Sequence, residues 1–549
     1  MIHAIYKYMC AAALLLSVTG CGDFLKEYSQ DTDYVDSWED LNELLIGNCY
    51  LPQYQSNTLG QANDDNQFFL HFLGDELDEN LSTNDDNLME YDGKERVFGY
   101  FTWQARSGQN DSYTGYNTEN GNWTQMYKLI NVANNIIYSV TKLKQNDNAA
   151  QLGKIKVDGE AHFLRAYYYF FLANLYGKAY DPATASTDLA VPIKTSENVE
   201  DKSFQRNTIQ EVYDLILSDL DIADKELTAY GAQPSKYRAD SVAVHFLKSR
   251  VYLYMQNWEM AARYAQKVIN EHPTLQNLNA LNQKAGILNA VSPELIFSMG
   301  GNAMPCYTMN YIKSFTITDK IYGLYSDDDL RKSKFIWTNG DFHGYAKTPI
   351  IATNLTQEPT DPQYYFYAYY SPTSFNHVDI SDKFCFRSAE AYLIKAEAEA
   401  YLGHEDAARQ ALNTLRAQRY APGSDYTVTD TGDDLIKTIR NERERELCLE
   451  GHRWFDLRRY QVDAKYPYST TIEHTFTFIK TVDYADVRDH TNYYRLEPND
   501  DAYTLDIPYS VRNFQKSIGS NSRPTRQPFK TVAASEDEDS GDEDSGSNQ

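Results

Sequence analysis

Cys21 is the first residue of this 549-residue chain whose type and setting point to chemistry. Lys7 supplies a positive charge, Ala11 to Leu16 form a short apolar core, and Val18-Thr-Gly-Cys21 closes the segment. That is the layout of a secretory signal, with an apolar stretch too short to span a bilayer. Small residues directly before a cysteine match the bacterial lipobox, in which the thiol is acylated and the chain is cut so that Cys21 becomes the N-terminus. Each buried CH₂ gains about 0.8 kcal/mol, so several chains of palmitate length on one cysteine hold a soluble domain at a membrane surface. An ordinary secreted protein cut near a cysteine is the plainer alternative.

A second group, Arg443, Glu446, Glu450, Arg453 and Asp456, has charges three and four residues apart. Such charges pair on a helix, and glutamates beside arginines stay ionised. A general acid needs a carboxyl with a raised pKa, so the group reads as a structural salt-bridge network rather than a catalytic one. Asp/Asn clusters at 63–66, 84–87 and 326–329 offer oxygen ligands to calcium, but none has EF-hand spacing, so no bound cofactor or metal is expected. The chain has no H-E-x-x-H, no G-x-S-x-G, no phosphate-cradling glycine loop and no dinucleotide fingerprint. Paired carboxylates for glycoside hydrolysis stay open, because acids abound and a sequence hides their separation. Aromatic residues form the last group. Tyrosine alone occurs 45 times, and its flat face with a hydroxyl suits wet surfaces that bind polar ligands.

The formal net charge of −27 argues against nucleic acid and against close contact with an anionic bilayer. Seven acids fall in the last fifteen residues among Ser and Gly, which predicts a solvated, disordered tail. No apolar run after Cys21 reaches the length of a membrane helix. Cys49, Cys306, Cys385 and Cys448 are far apart and lack zinc spacing; four cysteines allow three full pairings, and free thiols are equally compatible.

Helices must position these groups. Trp123 to Lys144 has apolar residues at the spacing of one helical face, and Gly159 to Tyr176 is apolar nearly all round, as in a buried helix, with Gly177 at its C-cap. Thr208-Ile-Gln-Glu211 is a capping box opening an amphipathic helix through about Leu227. Residues 241–270 and 387–419 repeat each other, with Glu259-Met-Ala-Ala-Arg-Tyr-Ala265 matching Glu405-Asp-Ala-Ala-Arg-Gln-Ala411 after short breaks at Gln256-Asn257 and Gly403-His404. Two such hairpins, with small residues at the crossings, read as tetratricopeptide-like units. Residues 48–122 and 300–385 are loop-rich and aromatic, and loops of that length usually carry function. The ligand is therefore expected at 60–122 or 300–375. Trp103 is favoured because it follows Tyr100-Phe101 in a Gly-rich, polar stretch, and Tyr307, Tyr311 and Trp337 come next, after a short buried element at Glu294-Leu-Ile-Phe297. Residues 465–530 predict a small hairpin and an irregular lid.

Residues 435–459, from Leu435-Ile-Lys-Thr-Ile-Arg-Asn through Glu450-Gly-His-Arg-Trp-Phe-Asp-Leu-Arg-Arg459, resemble the C-terminal signature of the SusD/RagB family of outer-membrane lipoproteins. Gly159-Glu-Ala-His-Phe-Leu-Arg-Ala166, Ala389-Glu-Ala-Tyr-Leu-Ile-Lys-Ala-Glu-Ala398 and Cys21-Gly-Asp-Phe-Leu25 are similar to three further family blocks, in the same order. The proline often found soon after the lipidated cysteine is absent here.

The resemblance implies a mainly α fold: a tetratricopeptide-like helical-hairpin scaffold with a loop-rich, irregular ligand-binding face. It implies a non-catalytic, lipid-anchored protein on the outer face of the outer membrane. Such a protein captures a glycan for polysaccharide utilisation and passes it to a TonB-dependent SusC-like transporter. A peptide ligand, a surface glycoside hydrolase and a pure protein-interaction scaffold are the alternatives. The expected segments are a signal peptide at 1–20, a lipidated, loop-rich segment at 21–122, and the helical scaffold at 123–299. An aromatic insert at 300–386, a hairpin with the family motif at 387–460, an irregular segment at 461–534 and the acidic tail at 535–549 complete the chain.

Overall fold

The computed structural model describes residues 35–533, apart from 52–67, 82–93, 96, 113–117, 199, 233–234, 283–284, 301–303, 305–313, 349–379, 382 and 384. Cys21, Cys306, Tyr307, Tyr311, the clusters at 63–66 and 84–87 and the acidic tail lie outside the described residues.

The main helices are α1 (Trp38–Leu44), α2 (Thr118–Val140), α3 (Asn148–Tyr176), α4 (Ile209–Tyr230), α5 (Ser241–Tyr254), α6 (Trp258–Glu271), α7 (Ser388–Tyr401), α8 (Glu405–Arg416), α9 (Gly432–Leu447), α10 (Arg453–Gln461) and α11 (Tyr509–Phe514). The helix α3 packs between α2 and α4, and every residue from Gly159 to Tyr176 is buried. It begins eleven residues earlier than the apolar run predicts, because its first turns are amphipathic and Asp147 caps them by accepting from the Ala150 amide. Gly177 does end the helix, but with φ −99° rather than the left-handed conformation of a C-cap glycine. Space explains this glycine instead: a Cβ there would lie 2.7 Å from the Ala173 carbonyl.

The capping box forms at α4, where the Thr208 hydroxyl and the Glu211 side chain satisfy each other's backbone amides. The repeated segments form two helical hairpins, α5–α6 and α7–α8, with α7 packed on α6. Gln256 and Gly403 take left-handed φ values of 58° and 82° at the two breaks, a conformation glycine adopts freely and glutamine only under strain. Ala261 and Ala265, and Ala408 and Ala411, are buried at the crossings, as the spacing predicts.

Small antiparallel sheets decorate this scaffold. The pairs are β1 (Leu77–Glu79) with β3 (Phe315–Ile317), β2 (Leu295–Phe297) with β6 (Phe386–Arg387), and β4 (Ile336–Asn339) with β5 (Phe342–Tyr345). A longer hairpin, β7 (Ile472–Val482) and β8 (Ala485–Leu496), pairs from Ile472 opposite Leu496 to Val482 opposite Ala485, with a bulge between Phe478 and Ile479 that skips Asp489, and β9 (Lys530–Ala533) adds to β8. One hydrophobic core extends from Leu41 to Ile518.

The described parts of 60–122 differ from the expected open loops. Phe69, Phe72, Leu73, Val97, Phe98, Tyr100, Phe101 and Trp103 are all buried in that core. Aromatic density without periodicity here marks an irregular segment folded inward.

Candidate functional site

The charged motif lies on α9, α10 and the turn joining them, where Leu449 and Gly451 have left-handed φ values. Glu446 is fully buried and accepts from Arg331, Arg387 and Arg419 at 2.6–2.9 Å. Glu450 accepts from Lys347 and Arg387, Asp456 from Arg443 and Arg459, and Asp75 from both Nε and Nη2 of Arg453. Burial alone would raise the Glu446 carboxyl, but the Arg419, Arg387 and Arg331 guanidiniums hold it well below the usual carboxylate range. A carboxylate so held cannot donate a proton near neutral pH. The network joins α9 and α10 to the segment before β1, to β6 and to the loop before α9, so its chemistry is structural.

The expected ligand aromatics separate. Trp103 is 0% exposed; its Nε1 donates to the Leu73 carbonyl at 2.9 Å and its ring stacks on His474 at 4.5 Å. With no face toward solvent it cannot serve as a stacking platform, and the expectation at Trp103 is corrected: its polar surroundings in sequence concealed a core position. Trp337 is half-buried on β4, with Phe342 edge-on to it at 5.8 Å. Tyr307 and Tyr311 are among the residues outside the description. Asp329, in the third Asp/Asn cluster, is buried in an ion pair with Arg331, while Asp327 is exposed and pairs with Lys332.

A cleft of about 540 Å³ opens elsewhere, against the C-terminal end of α3. Its walls come from Lys178 and Ala179, from the end of α10 (Arg458, Gln461, Val462), from 499–504 and from 520–522. Polar groups share these walls with apolar surface. Asn521 is fixed on four sides: its Nδ2 donates to the Tyr176 and Leu505 carbonyls, its Oδ1 accepts from Arg206, and its amide donates to Asp506. Asp500 accepts from the Ala502 amide and from Arg526, both at 2.8 Å. Tyr503 stacks on Trp454 at 4.8 Å and is 6% exposed, and among the described residues its hydroxyl has no full hydrogen bond, Gln461 being only a weak partner. Arg458 is 4% exposed and donates to the Asn174 and Gly177 carbonyls, cations being favoured at a helix C-terminus. Burial lowers its guanidinium to about 10.

Beyond Asp506 the same segment turns outward. Asp506 accepts from Ser520 and Asn521 with one oxygen and pairs with Arg512 at 2.9 Å with the other. On α11, Tyr509 is 49% exposed and Phe514 88% exposed, and Arg106 and Arg512 lie 4.9 and 5.8 Å from the Tyr509 ring. The Tyr509 amide donates to Glu119, which also pairs with Arg106. This exposed aromatic face and the cleft escape the sequence pattern, because their residues are polar, irregular and drawn from distant segments. Pro508 before Tyr509 is the local sign that a short helix starts there.

A profile described as "SusD family" matches residues 379–523, and one described as "Starch-binding associating with outer membrane" matches residues 74–253. SusD-like protein P2 of Formosa agariphila is 28% identical over 386 residues, covering 62% of this chain and 71% of that protein. SusD-like protein P38 of the same organism is 25% identical over 393 residues, covering 62% and 72%. Among solved structures, a putative sugar binding protein from Bacteroides vulgatus superposes with a TM-score of 0.64 at 21% identity, over 89% of this chain and 98% of that one. A SusD-like carbohydrate binding protein from the same organism gives a TM-score of 0.62 at 21% identity, over the same shares of the two chains. The chain belongs to the SusD/RagB family. Its mainly α, tetratricopeptide-like scaffold is the fold those neighbours have.

Proposed function

We propose that this protein is a glycan-capture lipoprotein of the outer cell surface that binds without cleaving and hands its ligand to a SusC-like TonB-dependent transporter. The observation that carries the glycan reading is the cleft beside α3. It is large enough for sugar units, and Gln461, Asn499, Asp500, Thr504 and Asn521 line it with amide, carboxylate and hydroxyl partners. Tyr509 and Phe514 on the neighbouring face, and Trp337 on β4, offer rings for stacking on sugars. Family membership and the printed names of its relatives favour the same reading. Glu446, Glu450 and Asp456 of the motif, held as anions by arginines, favour binding without hydrolysis.

Incubation with a panel of plant, host and microbial polysaccharides tests this. Retention with unchanged chain length is expected. Shortened products would make the protein a hydrolase, and retention of none would favour a peptide ligand or a scaffold.

Anchoring is proposed at Cys21. No described helix is long and apolar enough to cross a membrane. Cys21→Ala is therefore expected to move the protein from the membrane fraction to the soluble fraction. A variant still membrane-bound in cells lacking the transporter would remove the anchor from Cys21.

A further inference from the structure

The treatment of arginine differs between the core network and the cleft. Six fully buried or nearly buried arginines of the network, Arg250, Arg331, Arg387, Arg419, Arg443 and Arg459, each have a carboxylate within hydrogen-bond distance. Around the cleft, three have none among the described residues. Arg458 meets only the carbonyls of Asn174 and Gly177 and, at 3.5 Å, the Thr504 hydroxyl. Arg206 meets the Tyr176, Leu189 and Ala190 carbonyls and Asn521 Oδ1. Arg523, buried behind the 501–503 turn, donates among the described residues only to the Ala502 carbonyl, with Nε and one terminal nitrogen unpartnered there. The end of α3 supplies roughly half a negative charge, which compensates part of this but not three guanidiniums.

The carboxylates nearby are already committed. Asp500 is paired with Arg526 and Asp506 with Arg512, while Lys178 adds an exposed cation at the rim, paired with Asp188 at 2.9 Å. Asp501 is the cleft-lining carboxylate with no cation partner among the described residues. Among the residues that line the cleft, Lys178 and Arg458 balance Asp500 and Asp501, and the excess positive charge comes from Arg206 and Arg523 beside it, on a protein of net charge −27. The cleft floor carries the buried Arg458 guanidinium, with no counter-ion among the described residues, and the buried Tyr503 hydroxyl, with only Gln461 as a weak partner. An oxyanion satisfies both: it accepts from the remaining guanidinium N–H groups and from the Tyr503 hydroxyl, in charge-assisted bonds strengthened by the low dielectric. A neutral sugar hydroxyl would leave the charge uncompensated.

Resting on the glycan-capture reading, we propose that the cleft selects acidic glycans, seating a sugar carboxylate or sulfate ester against Arg458 and Tyr503, with Asn499 and Thr504 bonding the ring hydroxyls.

Arg458 also holds the end of α3, so the test uses exposed rim residues whose replacement spares the fold. Affinities of the full chain are measured by calorimetry at low salt for three oligosaccharides: an oligogalacturonate, a sulfated galactan oligosaccharide, and its unsulfated counterpart. At least one acidic probe is expected to bind better than the neutral one. Its affinity should fall about tenfold in Lys178→Glu, rise in Asp501→Asn, and weaken with added salt. Lys437→Glu, the same charge change on an exposed part of α9, should leave it unaltered. The two acidic probes distinguish a carboxylate seat from a sulfate seat. Acidic probes that bind no better than the neutral one, or that ignore Lys178→Glu, overturn the assignment. Neutral glycans bound in the polysaccharide panel would then leave glycan capture standing, whereas an empty panel would remove that reading by itself.

Discussion

Glu446→Ala is expected to cost about 4 kcal/mol of folding stability, a large share of the roughly 5–15 kcal/mol that holds a folded domain together. Glu446 sits at 0% exposure among Arg331, Arg387 and Arg419. Removing it leaves three guanidiniums converging on a cavity that water does not reach. The loss should stay near that figure, because each arginine keeps a second acid: Arg331 has Asp329 and Glu442, Arg387 has Glu450 and Glu294, and Arg419 has Glu294. Glu446→Gln keeps the shape but turns an amide NH₂ toward the arginines, and should fall between wild type and alanine. Denaturant unfolding reads the effect directly. A Glu446→Ala protein of wild-type stability that has lost ligand binding would contradict the structural role and return the motif to the list of candidate sites.

The same residues show what a sequence can and cannot convey. Charges at Arg443, Glu446, Glu450, Arg453 and Asp456 announce pairing, since three- and four-residue spacing places them on neighbouring turns. Arg443 does meet Asp456, but Glu446's partners Arg331, Arg387 and Arg419 lie up to 115 residues away and Arg453's partner Asp75 lies 378 away, and local spacing cannot name them. Thr208 and Glu211, or the twin Glu-x-Ala-Ala-Arg-x-Ala segments, were legible because their physics is local: a cap closes within three residues and a helical hairpin within about thirty. Trp103 was misleading for the complementary reason. Its neighbours are polar in sequence, yet the ring finds His474 and the Leu73 carbonyl in space. The cleft was hidden altogether, being assembled from 178–179, 458–462, 499–504 and 520–522 with no periodicity to mark it. Arg458 stood in plain view within the family motif. Its want of a carboxylate appears only when the surrounding chain is folded.

Glu76→Gln is expected to stabilise the protein at alkaline pH by several kcal/mol while changing little at pH 5. Glu76 is buried directly before β1, where one oxygen accepts from the Leu449 amide at 3.0 Å. Burial is the largest influence and raises its carboxyl from 4.5 to about 8; Asp75 and Glu444 push the same way, while the Leu449 amide and Arg453 oppose. The folded state therefore prefers the neutral acid. A raised folded pKa gives stability that is complete below the unfolded value and declines as pH climbs toward the folded one. Between about pH 4.5 and 8 the folded protein binds the extra proton, and stability falls by about 1.4 kcal/mol per unit. Glutamine keeps the acceptor for Leu449 and never ionises, so it escapes that decline. Glu444, which burial raises to about 7, titrates in the same window and keeps some slope in both proteins. The difference between the two stability–pH curves isolates Glu76: it should be near zero at pH 5 and widen up to pH 8. Parallel curves would mean that Glu76 is ionised in the folded protein throughout that range.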